Sequence, residues 1–232
     1  MAISGSRSES EGKKNMKTLA ILTAAGAVLF AISASAQPSV PVEPALVANT
    51  CSQCHGDRGL SIAPLFPDLA AQDKDYLVAQ LKNFRDHKRS DQHAQAYMWG
   101  MAGDLTDDTI DAIATYFSSL PPPPRTSGLD PAEVAAGKAI FENGVSADNV
   151  PACKACHGDS AAGSATIPRL AGQHREYLAT QLLAFRSKQR YNDIMSANVA
   201  QMTDEQIRDV SSYLASLASP SAATEPSKAD GK

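Results

Sequence analysis

Apolar residues recur at helical spacing in two stretches of the chain. Leu77, Leu81 and Phe84 stand at i, i+4 and i+7, and Leu178, Leu182 and Phe185 repeat the arrangement. Each run predicts an amphipathic helix with a single packing face. Ile110, Ile113, Ala114 and Phe117, then Ile207, Val210, Leu214 and Leu217, predict a second pair of helices. Thr203 and Gln206 have capping-box spacing at the start of the last one. Pro131 and Glu133 open a further helix through Phe141 that ends near Asn143-Gly144, and its counterpart over Glu43 to Thr50 is shorter. No alternating run is long enough for a sheet, so the expected fold class is all-α.

The helical pattern is part of an internal repeat. Leu69 to Arg85 aligns with Leu170 to Arg186, matching at nine of seventeen positions. The halves are read as duplicated domains, 37–120 and 132–219. The Pro-rich segment 121–131 joins them as an extended, semi-rigid spacer, and 220–232 is expected to be a disordered tail.

The N-terminal segment has a different character. Lys17, an apolar run from Leu19 to Ile32, and Ala34-Ser35-Ala36 form the three parts of a secretory signal, with cleavage expected after Ala36. Residues 1–15 are polar and read as an extension of that leader. The competing reading keeps residues 18–36 as a membrane anchor, but the run is short and rich in Ala, Thr, Ser and Gly. Cleavage would leave 196 residues with 17 basic and 23 acidic side chains. That acidic balance, with no basic cluster, gives no support for nucleic-acid binding.

The four cysteines lie in two pentapeptides, Cys51-Ser52-Gln53-Cys54-His55 and Cys153-Lys154-Ala155-Cys156-His157. This C-x-x-C-H spacing attaches a c-type haem. Two thiols three positions apart can each reach one vinyl group of a porphyrin, and the adjacent histidine is brought to the iron. A thioredoxin-like pair, a four-cysteine zinc site and a disulfide are the other chemistries of C-x-x-C. Both pairs carry His at the next position and Gly-Asp after it, whereas a redox pair would follow a strand in a βαβ pattern that this chain lacks; a four-cysteine zinc site is the main alternative, separated by iron content and mass. Two covalently bound haem c groups are expected, with Cys51, Cys54, Cys153 and Cys156 as attachment points and His55 and His157 as iron ligands.

Aligning Leu105-Thr106-Asp107 with Met202-Thr203-Asp204 sets Met98 opposite Met195. These two methionines are the candidate distal ligands. Met101 is a competing ligand for the first haem, and His87 and His93 are further alternatives in what reads as a four-residue insertion. His174, aligned with Asp73, is expected at the surface. Pro67 and Pro168 are placed to present a backbone carbonyl to His55 and His157, which would orient the imidazoles. His/Met ligation closes both axial positions and raises the potential relative to bis-His. It favours outer-sphere electron transfer over substrate chemistry, so the protein is not expected to be an enzyme.

The order C-x-x-C-H-G-D, Pro-x-Leu-Ala-x-Gln-x-x-x-Tyr-Leu-x-x-Gln-Leu-x-x-Phe-Arg, then Met and a final helix, present twice, resembles the two-haem cytochrome c4 family. The resemblance implies two class I cytochrome c domains related by a pseudo-twofold axis, with haem edges and propionates facing each other across the interface. It also implies a periplasmic carrier, often associated with the membrane, that passes electrons from a quinol-oxidising complex toward a terminal oxidase. Its axial positions carry over to His55 and Met98, and to His157 and Met195. Ala96-Tyr97-Met98-Trp99-Gly100-Met101 departs from the family pattern more than Arg190 to Met195 does. Donor and acceptor proteins, of the kind of membrane respiratory complexes, are the expected partners. A fixed cytochrome subunit of a periplasmic dehydrogenase or flavoprotein, and a two-haem peroxidase, are the alternative functions.

Overall fold

Among the described residues, four α-helices in the first half and five in the second carry the fold. The structure, a computed structural model, describes residues 44–124 and 126–218. The expected leader and C-terminal tail lie outside those residues. α1 covers Pro44–His55, α2 Lys74–Arg85, α3 Trp99–Ala102 and α4 Asp107–Ser118. α5 covers Pro131–Asn143, α6 Lys154–His157, α7 Arg175–Arg186, α8 Asp193–Asn198 and α9 Asp204–Ser216. Extended pairing among the described residues is confined to two isolated bridges, Val145 with Val150 and Ser164 with Ile167. No helix among these residues is long and apolar enough to cross a membrane.

Local chemistry explains the helix boundaries. The Thr106 hydroxyl accepts from the Thr109 N–H at the head of α4, and Thr203 and Gln206 close a reciprocal capping box on α9. Asp130 accepts from the Ala132 N–H, with Pro131 in the first helical position of α5, where its missing N–H costs nothing.

The periodic apolar residues form the two cores. α2 packs on α4 through Leu77, Ile113, Ala114 and Phe117. In the second half α9 lies between α5 and α7, burying Ile140, Phe141, Leu178, Phe185, Ile207, Val210 and Leu214. The α5–α9 contact is close because Gly137 has no side chain, and a Cβ there would run into the Asp209 carbonyl.

The repeat is uneven at its motifs. In the first half a single helix, α1, runs straight through Cys51 to His55. In the second, α5 stops at Gly144, which takes the left-handed φ of 72°. The chain then makes the Val145–Val150 turn and restarts as the short α6.

The four-residue insertion also falls later than the sequence alignment suggests. His87 and Lys188 are equivalent, since both are left-handed and both donate N–H to the carbonyl of the helix phenylalanine, Phe84 or Phe185, at 3.1 Å. Asp91 and Asn192 are equivalent too, accepting through their carbonyls from Gln95 and Ser196. The extra residues therefore enter after Gln95, where the chain widens into a π-helical segment, Ala94–Met98. His87 and His93 are thus both outside the insertion.

Candidate haem sites and the boundary between the halves

Each motif histidine is buried and held by its second ring nitrogen. His55 Nδ1 lies 2.9 Å from the Pro67 carbonyl oxygen, and His157 Nδ1 lies 3.1 Å from that of Pro168. A carbonyl only accepts, so Nδ1 carries the proton and Nε2 is left with a lone pair. Burial pushes both imidazoles below the ordinary histidine range, against the opposing pull of the proline carbonyls. They are thereby held in the neutral form that binds a metal.

The prolines reach the histidines because the intervening loop is pinned. The Gly59 carbonyl accepts from the Leu69 and Ala70 N–H groups, and the Ala161 carbonyl accepts from those of Leu170 and Ala171. In the first half the loop is tied further by Asp68, whose carboxylate accepts from the Ser61 N–H at 2.7 Å, while Ser61 Oγ donates to the Cys54 carbonyl.

All four cysteines are free thiols; Cys54 and Cys156 are exposed and Cys51 and Cys153 partly buried. The thiols are not gathered at one point, and among the described residues no cluster of three His, Cys, Asp or Glu side chains could hold a bare metal ion. Among the described residues the exposed large apolar side chains are Ile62, Leu65, Tyr97 and Met101 in the first half and Leu183, Tyr191 and Ile194 in the second. Two free thiols three positions apart beside a neutral, oriented imidazole fit a covalent porphyrin in each half.

The methionines differ in setting. Met195 is the third residue after Asn192, whose side chain accepts from the Ile194 and Met195 N–H groups. Met98 is the seventh residue after the equivalent Asp91, at the end of the π segment. Four extra residues amount to about one helical turn, which returns Met98 to a similar face. It is partly buried against Phe84, Ala94 and Ala102, and Met195 against the second core. Met101 is 48% exposed, and Met202 is buried as core packing. His87 stacks on Trp99 with centroids 4.1 Å apart, and the indole N–H donates to the Arg89 carbonyl. His93 lies instead beside Phe66 and Tyr97, and Phe66 in turn meets the edge of His55.

The described residues fall in one compact unit, and the halves meet through side chains of α2 and α7 and of the loops that flank them. The Gln72 side chain donates to the Arg169 carbonyl and accepts from the Arg169 N–H; Gln173 does the same with Asp68. Arg89 donates to Gln80 and Gln181, and Arg190 donates to Gln181, Gln80 and Tyr76. Each guanidinium also covers a phenylalanine, Arg89 over Phe84 at 4.6 Å and Arg190 over Phe185 at 4.5 Å. These reciprocal pairs, 101 residues apart, are the signature of a pseudo-twofold relation. His174, expected at the surface, is part of this boundary, with Nε2 2.9 Å from the Ser61 carbonyl oxygen. The boundary residues were not singled out from the sequence. The available signal was the repeated Gln-Tyr-Gln series 72, 76, 80 and 173, 177, 181, one polar stripe per helix.

Two similar helical halves, each with a buried histidine beside a cysteine pair fit for covalent porphyrin, define a two-haem c-type cytochrome. The model of the family described as "Cytochrome c" matches residues 44–121 and again 134–218. A cytochrome c-552 from Acidithiobacillus ferridurans is 40% identical over 199 residues, 85% of this chain and 85% of its own length. A cytochrome c4 from Pseudomonas aeruginosa PAO1 is 40% identical, covering 73% of this chain and 85% of its own. The structure of a cytochrome c4 from Acidithiobacillus ferrooxidans superposes with a TM-score of 0.70 at 42% identity, covering 73% of this chain and 99% of that one. A relative from Stutzerimonas stutzeri A1501 named thiosulfate dehydrogenase electron acceptor is 34% identical over 73% of this chain and 80% of its own. The chain belongs to the two-domain cytochrome c4 family, an electron-transfer protein that carries two covalent haem c groups.

Proposed function

We propose that this cytochrome is a periplasmic electron shuttle, exported by cleavage after Ala36, that takes electrons from a quinol-oxidising complex and delivers them toward a terminal oxidase. Cys51 and Cys54, and Cys153 and Cys156, attach the haems. His55 with Met98, and His157 with Met195, would hold the haem irons. The haem iron supplies a one-electron store when bound. The protein contributes the rest: the Pro67 and Pro168 carbonyls fix the imidazoles, the methionines would complete the iron ligation, and the reciprocal boundary hydrogen bonds hold the two halves in register.

The observation that carries this reading is the reciprocal boundary. Paired Gln72–Arg169 and Gln173–Asp68 contacts join two equivalent sites, which supports transfer between two haems within one molecule. Spectroelectrochemical titration of the haem-loaded protein tests it. Two low-spin, high-potential waves that keep the ferric sulfur-to-iron band support the carrier; a high-spin or low-potential haem would sink one distal assignment.

The relative named thiosulfate dehydrogenase electron acceptor favours a second reading, in which the same body drains a periplasmic dehydrogenase. Stable co-purification with such an enzyme supports this reading. Reduction by quinol-oxidising membranes in its absence supports the first.

A further inference from the structure

Two equivalent places in the repeat carry opposite charge. Asp68 and Arg169 each follow the proline whose carbonyl accepts from a motif histidine, and Asp73 and His174 each stand just before the next helix. The charges are exchanged across the boundary. His174 of the second half lies 3.6 Å through Nε2 from the Asp68 carboxylate of the first, an ion-pair distance rather than a hydrogen bond. Arg169 donates to the Ala70 and Ala71 carbonyls of the first half.

Asp68 is only 5% exposed. A charge so placed is weakly screened and acts strongly on neighbouring charge. It is covalently next to the Pro67 carbonyl that orients His55, and the Ser61 N–H it binds belongs to the residue whose hydroxyl holds the Cys54 carbonyl. Its field reaches the His55 imidazole. At the His157 site Arg169 occupies the position equivalent to Asp68, and no carboxylate among the described residues acts on the imidazole in the same way.

We propose that Asp68 and His174 are positioning residues that set the potential of the first haem and couple its reduction to a proton. The buried carboxylate favours the ferric form; protonation of His174 cancels that charge and favours the ferrous form. On reduction one electron enters at the iron from the donor protein, and a fraction of a proton enters from solvent at His174 Nδ1. Nδ1 is the site because Nε2–H is committed to the Ser61 carbonyl. The charged groups facing His174 are Asp68 across the boundary and Glu176 on its own helix, while Arg169 competes for Asp68 and Asp73 offsets Arg169. Asp68 and Glu176 together with the Ser61 carbonyl hold the imidazole above the ordinary histidine range although burial opposes this.

The inference deepens the reading of His55 as the ligand of the first haem. It is tested on the haem-loaded protein by spectroelectrochemical titration between about pH 5 and 9, a range that spans histidine titration. In the wild type one wave should fall in potential as the pH rises through the His174 titration. His174→Gln should flatten that wave near its alkaline value, and Asp68→Asn should raise it and flatten it. A His174 proton affinity ten times higher in the ferrous than in the ferric state corresponds to about 59 mV for a one-electron couple. Two normal low-spin waves with unchanged pH slopes in His174→Gln would overturn the coupling while leaving the ligand reading intact; loss of a low-spin wave in the wild type would overturn the ligand reading instead. Should the variant fail to load haem, NMR titration of His174 in the fully ferric and fully ferrous wild type decides. A higher pKa in the ferrous protein supports the proposal, and equal values overturn it.

Discussion

Gln173 and Asp68 are joined twice across the domain boundary, with the side-chain amide donating to the Asp68 carbonyl at 2.9 Å and accepting from its N–H at 2.9 Å. Gln72 makes the same pair with Arg169. An amide side chain that matches both polar groups of a buried peptide leaves neither unsatisfied. The cytochrome c4 halves thus dock backbone to side chain, a contact that neither half makes alone.

Removing either amide exposes the asymmetry between a hydrogen bond made and one lost. Gln173→Ala should cost about 1–3 kcal/mol because buried groups of Asp68 lose their partners. Gln72→Ala should cost about the same. Urea unfolding of the holoprotein measures it, and a variant within about 0.5 kcal/mol of wild type would mean that water replaces the amide.

The central ion pair should set the acid limit of the boundary. Burial disfavours the Asp91 carboxylate, but Arg89 at 2.7 Å and nearby Arg190 hold its pKa below the ordinary value of 3.8. A depressed folded pKa stabilises the protein above the unfolded pKa, and that contribution is lost as pH falls from there through the folded value. Stability should therefore drop with acidification below about pH 4, and Asp91→Asn should abolish that part of the slope. The same variant leaves two buried guanidiniums without a carboxylate and should cost about 3–5 kcal/mol at neutral pH.

The two methionine assignments separate spectroscopically. Met98→Ala and Met195→Ala should each remove about half of the ferric sulfur-to-iron absorption, since one haem of two is affected in each. Met101→Ala should leave the band intact. Loss of the band in Met101→Ala with retention in Met98→Ala would exchange the two roles.

Gly137 tests the packing of α5 on α9. An added methyl meets the Asp209 carbonyl, which belongs to helix backbone and cannot swing aside. Gly137→Ala should cost about 1–3 kcal/mol as overpacking, against the small gain expected of Ala in a helix. Thermal unfolding followed at both haems should show the loss in the second half; a rise in Tm would show that α5 can slide.

Much of the fold was legible because it is local. The core faces of α2, α4, α7 and α9 follow from residues three and four apart, and the Thr203–Gln206 box is decided within one turn. Reading was poorer where two registers compete. The offset at the motifs and the offset at the last helices disagree, and the sequence alignment put His87 inside the insertion. The matching turns at His87 and Lys188 place the extra residues after Gln95 instead. The shared Gln, Tyr and Gln of the repeat read as marks of duplication, and their work at the boundary was not visible.

The sequence by itself determined the covalent chemistry, the helical class and the duplication, because each depends on spacing along a few turns of one chain. Cysteines three apart with histidine next to them need no knowledge of the rest of the molecule. The tertiary structure decided which surfaces meet. It brought His174 to Asp68 and Gln72 to Arg169 across about a hundred residues, and it buried the charges whose effect depends on that burial. A one-dimensional pattern reports which residues are polar, whereas the energy of a buried charge is set by what lies around it in space.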